Sequence, residues 1–248
     1  MLPYLSTTQL HLGPITIQSW GLFVALGFVI GGTAAAWLTK RRGLKPEVVW
    51  DMLGWLLLSS MIFGRVFFVL FYYPGYFIER PLEVFAIWQG GMSMMGGLFG
   101  AALVAVIYFK VKKLNWFQYS DAMIFGLPIG YAIGRIGCFL IHDHPGIPTT
   151  FFLGVQYPDG IIRHDLGLYE IFVGLILFLV FLAWQKKARV GFFLATFLSG
   201  YGVARLLLDF LRLDDPRFAF LTAGQYFSLL LLVGGILIFV KSKKIKKV

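Results

Sequence analysis

The sequence has a single cysteine, Cys138, in 248 residues. That excludes an internal disulfide and a cysteine-based zinc cluster. Charge is scarce as well. Only 14% of residues are Asp, Glu, Lys or Arg, where a soluble domain has about 25%, and 58% are hydrophobic, where about 45–50% is usual. No cleavable signal peptide is expected, because the first apolar run is too long, is wrongly flanked and lacks a small-residue cleavage site. Tandem repeats, low-complexity linkers and a second domain are not apparent either, so residues 1–248 read as one polytopic domain. What is present is a series of long apolar runs and a mean hydropathy of +0.79, the pattern of a membrane-embedded chain.

A spanning helix needs about 20 mostly apolar residues. Seven segments qualify, at about 17–38, 48–72, 91–111, 117–140, 166–184, 191–211 and 223–240, giving an all-α integral membrane protein. The fourth is interrupted by Pro128, Gly130 and Gly134, which is tolerated where such breaks face protein or a polar cavity. Fifteen of the 22 basic residues fall on alternate loops, after the first, third, fifth and seventh segments. The excess of Lys and Arg on cytoplasmic loops then puts the N-terminus outside and the C-terminus in the cytoplasm. The net charge of +10 therefore calls for no nucleic acid. The lipid bilayer is the partner, and anionic headgroups account for the basic tail "KSKKIKKV".

Ionisable groups inside apolar segments default to function. Arg65 lies in the second segment, Arg135 near the outer end of the fourth, and Arg205 deep in the sixth with Asp209 four residues on, on the same helix face. Tyr169 and Glu170 open the fifth. Each arginine has two readings. One is structural, with pairing to Asp51, Asp121, Glu170 or Asp209, or snorkelling. The other is an anion site, since a guanidinium binds phosphate bidentately and stays charged. The glycines of "QGGMSMMGG", including Gly96 and Gly97, serve either close helix packing or a backbone-lined ligand pocket.

The stretch "GRIGCFLIHDHPG", residues 134–146, concentrates an arginine, the cysteine, two histidines and an aspartate. "GRIGCF" resembles the Gly-Arg-x-Gly-Asn-Phe signature of the bacterial prolipoprotein diacylglyceryl transferases. Five further segments are similar to that family in order and spacing: "FGRVFFVLFYYPGYF", "IWQGGMSMMGGLFG", "RHDLGLYE", "GYGVARLLLDFLRLDD" and "AGQYFSLLLLVGG". The resemblance implies a multi-pass protein of the bacterial cell membrane. It implies transfer of a diacylglyceryl group from phosphatidylglycerol to the lipobox cysteine thiol of prolipoprotein signal peptides, with release of glycerol phosphate and without metal or cofactor. It carries the family arginines to Arg135 and Arg205, the Arg-His pair to Arg163 and His164, and the Tyr-Glu pair to Tyr169 and Glu170. Arg65, Gly96, Gly97, Asp143, Arg163, Tyr169 and Glu170 become substrate-binding candidates.

The chain departs from the family pattern at chemically important positions. The histidine of the family's His-Gly-Gly is Met95, which cannot take a proton; the signature asparagine is Cys138; and the later glutamate is Asp143. The thiol of a cysteine substrate must still lose its proton. His142 and His144 are candidate catalytic bases, with Asp143 able to orient one of them; alternatively both are solvated loop residues. Cys138, His142, Asp143 and His144 are zinc-ligand types, but nothing in their spacing demands a metal. The departures also admit a catalytically inactive, family-derived membrane protein that binds phospholipid or signal peptide.

Overall fold

A computed structural model describes residues 1–13, 15–213 and 217–242. The basic tail beyond Ser242 lies outside the described residues. Strands β1 (Gln9–Leu12) and β2 (Ile15–Gln18) form a hairpin that leads into α1 (Ser19–Arg41). Helices α2 (Glu47–Phe71), α3 (Pro74–Glu79), α4 (Met94–Val111), α5 (Trp116–Met123) and α6 (Leu127–Ile141) follow. Next come β3 (Pro145–Pro148), β4 (Val155–Gln156) and β5 (Ile162–Asp165), then α7 (Leu166–Trp184) and α8 (Phe192–Leu208). The chain closes with β6 (Arg217–Phe218), β7 (Leu221–Thr222) and α9 (Ala223–Ser242). The long elements are helical as expected, and the short strands lie in the loops. The loop after α6 makes a three-stranded sheet of order β3-β5-β4.

Among the described residues six helices are long and apolar enough to cross a membrane: Ser19–Arg41, Glu47–Phe71, Trp116–Ile141, Leu166–Trp184, Phe192–Leu211 and Ala223–Ser242. The seventh expected crossing, 91–111, starts late. Ser93 caps α4 by accepting from the Gly96 N–H at 3.3 Å, and Gly90 and Gly91 before it hold φ of 82° and 75°, outside helical space. The 18 residues left span roughly 27 Å, just short of the hydrocarbon core.

The chain folds as two compact units, Lys45–Trp116 and the combination of Met1–Leu44 with Phe117–Val248. In the larger unit, glycine sets the approach of α1 to α6. A Cβ added at Gly31 would lie 2.8 Å from the Gly126 carbonyl oxygen, and one at Gly27 would lie 2.5 Å from that of Gly130. The expected break at Gly130 is thus a packing contact. An aromatic core of Phe125, Phe181, Phe193 and Phe197 with Leu38 and Leu177 joins α1, α7 and α8. Beside it Asp121, fully buried, binds Arg42 at 2.7 Å and accepts from the Leu194 N–H at 2.8 Å in the first turn of α8, where a carboxylate is favoured.

Helix α9 opens with a capping box. Thr222 Oγ1 accepts from the Gln225 N–H at 3.1 Å, and Gln225 Oε1 accepts from the Thr222 N–H at 3.0 Å. Thr222 also donates its hydroxyl to Asp209 Oδ2 at 2.7 Å, so the box anchors the carboxylate at the end of α8.

In the smaller unit, α2 packs on α4. A Cβ at Gly96 would lie 2.5 Å from Phe67 Cβ, and one at Gly100 would lie 2.6 Å from Phe63 Cβ. Tyr108 donates to Asp51 at 3.3 Å across the same pair of helices.

Candidate active site

Two arginines on different helices of the larger unit converge on one buried carboxylate. Glu170, in the second turn of α7, is 1% exposed. Its Oε1 accepts from Arg205 Nη1 of α8 at 2.5 Å. Its Oε2 lies 2.6 Å from Arg135 Nε of α6, a close ion contact without hydrogen-bond alignment. Arg205 Nε also meets Asp209 Oδ1 at 3.0 Å, the expected i,i+4 pair. Arg212 Nε lies 3.9 Å from the same oxygen. Three arginines therefore surround two buried carboxylates. The Arg135 and Arg205 side chains are 18% and 16% accessible, enough to reach a ligand. Arg135 also stacks its guanidinium over Tyr131 at 5.1 Å.

The turn after α6 brings the other polar groups to Arg135. His142 sits at the helix C-cap with φ 50°, ψ 42°, a left-handed conformation that reverses the chain. The reversal returns Asp143 and His144 towards Cys138, one turn back on α6. One ligand-type atom from each of these three residues lies within 4.8 Å of the others. Arg135 Nη1 is 3.6 Å from Cys138 Sγ, so this group adjoins the arginine cluster. Burial pushes the His144 ring below the ordinary histidine range; Asp143 opposes that shift and Arg135 adds to it.

The two candidate bases are not equivalent. His142 is buried, its Nδ1 is 2.6 Å from Asp165 Oδ2, and its ring stacks on Tyr4 at 4.1 Å. The left-handed turn drives its ring inward among Tyr4, Phe139 and Tyr157. Its partner is Asp165 rather than Asp143. Asp165 also caps α7 through the Leu168 N–H at 3.3 Å and accepts from Tyr157 at 3.1 Å. Burial, with Asp165 beside it, pushes the Tyr157 phenol up. Asp143 Oδ1 lies 3.8 Å from His144 Nε2.

Other expected substrate-binding residues have structural partners. Arg163 pairs with Asp159 at 2.7 Å on β5, and this contact draws the Asp159 carboxyl below its usual range. His164 Nδ1 is 2.6 Å from the Tyr169 hydroxyl. In the smaller unit Arg65 donates to four backbone carbonyls: Nε to Val84 at 2.9 Å, Nη1 to Gly90 at 2.6 Å and Gly91 at 3.0 Å, and Nη2 to Glu83 at 2.6 Å. It pins the glycine loop before α4, a role that neither sequence reading, ion pair or anion site, included. Gly96 and Gly97 are packing residues of α4, and their N–H groups go to Ser93 Oγ and Ser93 O at 3.3 and 3.0 Å, so those amides do not face a ligand.

The sequence reading missed Asp165, the Arg42–Asp121 pair and the Thr222–Gln225 box. The first and last carried a local signal, an Asp and a Thr-x-x-Gln directly before an apolar run.

The family described as prolipoprotein diacylglyceryl transferase matches residues 7–241. Phosphatidylglycerol–prolipoprotein diacylglyceryl transferases of Cupriavidus metallidurans and Pseudoalteromonas translucida are each 34% identical to the chain. The matches cover 94% of this chain in both cases, and 92% and 91% of the relatives. That of Staphylococcus saprophyticus is 29% identical over 96% of this chain and 90% of its own. The converging arginines thus sit in a multi-pass membrane transferase, and the chain belongs to the prolipoprotein diacylglyceryl transferase family.

Proposed function

We propose that this protein moves a diacylglyceryl group from phosphatidylglycerol to the lipobox cysteine of prolipoprotein signal peptides, with Arg135 and Arg205 holding the lipid phosphate. The observation that carries this reading is the convergence of both arginines on buried Glu170. Glu170 and Asp209 fix the two guanidinium planes before a ligand arrives, which is what makes electrostatic stabilisation of a leaving phosphate effective.

The thiol sulfur forms a bond to the glyceryl carbon. That carbon's bond to the phosphate oxygen breaks, and glycerol phosphate leaves with the electron pair. The thiol proton needs an acceptor. His144, close to Cys138 beside Arg135, takes that part where the family histidine is Met95. The protein lies in the bacterial cell membrane with seven crossings, its N-terminus outside and its C-terminus cytoplasmic. Support for this comes from the basic residues on alternate loops and from the apolar α4, which tilt or local thinning of the bilayer would accommodate.

Purified Arg135→Ala, given phosphatidylglycerol vesicles and a lipobox peptide, is expected to release glycerol phosphate about 10²–10³-fold more slowly than wild type. Equal rates with equal folded protein would sink the mechanism. Met95 favours a second reading, a binder without catalysis, which predicts phosphatidylglycerol binding and no peptide-dependent release of glycerol phosphate by the wild-type chain.

A further inference from the structure

Each of the two arginines that converge on Glu170 follows a tyrosine by one helical turn. Tyr131 precedes Arg135 on α6, and Tyr201 precedes Arg205 on α8. The i,i+4 spacing puts each pair on one helix face. The two faces meet. The Tyr131 and Tyr201 rings pack edge to face with centroids 5.4 Å apart, and the Arg135 guanidinium lies over the Tyr131 ring at 5.1 Å. Tyr131 falls outside all six segments that resemble the family, so the resemblance gives it no role.

The Tyr131 hydroxyl is shut off from solvent and makes no hydrogen bond among the described residues. Its charged neighbours, Glu170 and Arg135, explain why. Arg135 has only donors, and Glu170 commits both oxygens to guanidinium groups. A buried hydroxyl without an acceptor is destabilising, and phenylalanine would fill the same space without that cost. The missing acceptor is therefore one that arrives from outside the fold. Depth selects its kind. Arg135 lies near the end of the span Trp116–Ile141, and Tyr131 lies about 6 Å nearer the middle, one helical turn in. A phosphodiester held by the arginines carries its glyceryl esters on the hydrocarbon side, at the level of Tyr131. Ester carbonyl oxygens accept hydrogen bonds and carry no charge, which suits a neutral phenol in a region of low dielectric.

We infer that Tyr131 is a specificity-determining residue whose hydroxyl donates to a fatty-ester carbonyl of the diacylglyceryl group. Its ring is partly accessible, so a small rotation of the side chain brings the hydroxyl to a lipid held at the arginines. The inference rests on the transferase reading and adds what the arginines do not sense, the way the acyl chains are joined to glycerol. The phosphate grip holds one side of the glyceryl carbon that the sulfur attacks, and the ester contact holds the other, so that carbon is positioned between two anchors. The carbonyl takes no part in the reaction, because the bond that breaks is the one between the glyceryl carbon and the phosphate oxygen. A lipid with ether-linked chains keeps the phosphate, the glycerol and the chains but has no carbonyl oxygen to offer.

The test is a double-mutant cycle between one protein group and one lipid group. Full-length wild type and Tyr131→Phe, in detergent, are each given a lipobox peptide with either ester-linked phosphatidylglycerol or its ether-linked analogue bearing the same chains. Glycerol phosphate release is followed, and thermal unfolding is measured on the same preparations. Wild type is expected to use the ester lipid about tenfold faster than the ether lipid. Tyr131→Phe is expected to slow about tenfold on the ester lipid and less than about twofold on the ether lipid, so the ester preference collapses. Its unfolding midpoint should equal or exceed that of wild type, because the hydroxyl has no bond to lose. An unchanged rate on the ester lipid, or an equal fractional loss on both lipids, overturns the inference and leaves the transferase reading standing; equal loss makes Tyr131 a support for Arg135 or a donor to the phosphate instead. A lowered midpoint also overturns it, since the hydroxyl is then bonded within the fold. No peptide-dependent release from either lipid by folded wild type sinks the transferase reading, and the ester contact falls with it.

Discussion

Replacing Glu170 by glutamine tests the arginine cluster most sharply. Glu170 is almost inaccessible and holds Arg205 Nη1 at 2.5 Å and Arg135 Nε at 2.6 Å. Glutamine has the same shape. It keeps one acceptor for Arg205 but turns an N–H₂ donor on Arg135, which is itself only a donor. Removing one partner of a buried ion pair costs about 3–5 kcal/mol. Here Asp209 still neutralises Arg205, and both arginines keep partial access to solvent, so about 2–3 kcal/mol of stability is the expected loss. The rate should suffer separately, because Arg135 loses the group that aims it. One charged contact of about 1.5–3 kcal/mol corresponds to roughly a ten- to 150-fold slower transfer. Thermal unfolding in detergent and glycerol phosphate release, measured on the same preparation, separate the two effects. A Glu170→Gln protein with the wild-type midpoint and the wild-type rate would refute the claim that Glu170 organises the arginines.

Arg205→Lys keeps the charge but loses the fork that reaches both Glu170 and Asp209, so transfer should fall by at least about tenfold, with the protein still found in the membrane. His142→Ala should lower stability by about 2–3 kcal/mol, read by thermal unfolding, because it empties a buried ring site and strands Asp165; His144→Ala should instead slow transfer at an unchanged unfolding midpoint. Arg65→Ala leaves the carbonyls of Glu83, Val84, Gly90 and Gly91 without their donor, and the expected outcome is a steep drop in folded protein measured by size exclusion. Gly96→Ala should have a similar consequence, since its methyl group would meet Phe67.

The spans were legible because bilayer thickness and apolar run length are coupled so directly. The 166–184 segment coincides with α7 at both ends. The 91–111 segment does not coincide with α4, because hydropathy is blind to the Ser93 cap and to the positive φ at Gly90 and Gly91. The pairing of Arg205 with Asp209 followed from helical spacing, and Glu170 was among the carboxylates expected to meet an arginine. That one glutamate serves two helices could not be read from spacing, because it depends on how α6, α7 and α8 pack. The same limit applies to the histidines. Only Asp143 separates His142 from His144, yet a single left-handed residue sends one inward to Asp165 and the other towards Arg135. Arg65 shows the opposite failing. Intramembrane arginine signals a polar partner, but sequence names only side chains, and here the partners are backbone carbonyls.

The most direct test is to express the chain in a bacterium depleted of its own diacylglyceryl transferase and to weigh a maturing lipoprotein. The account predicts a diacylglyceryl addition on the lipobox cysteine, present with the wild-type chain and absent with Arg135→Ala. Unmodified prolipoprotein in cells whose membranes contain the folded wild-type protein would contradict it.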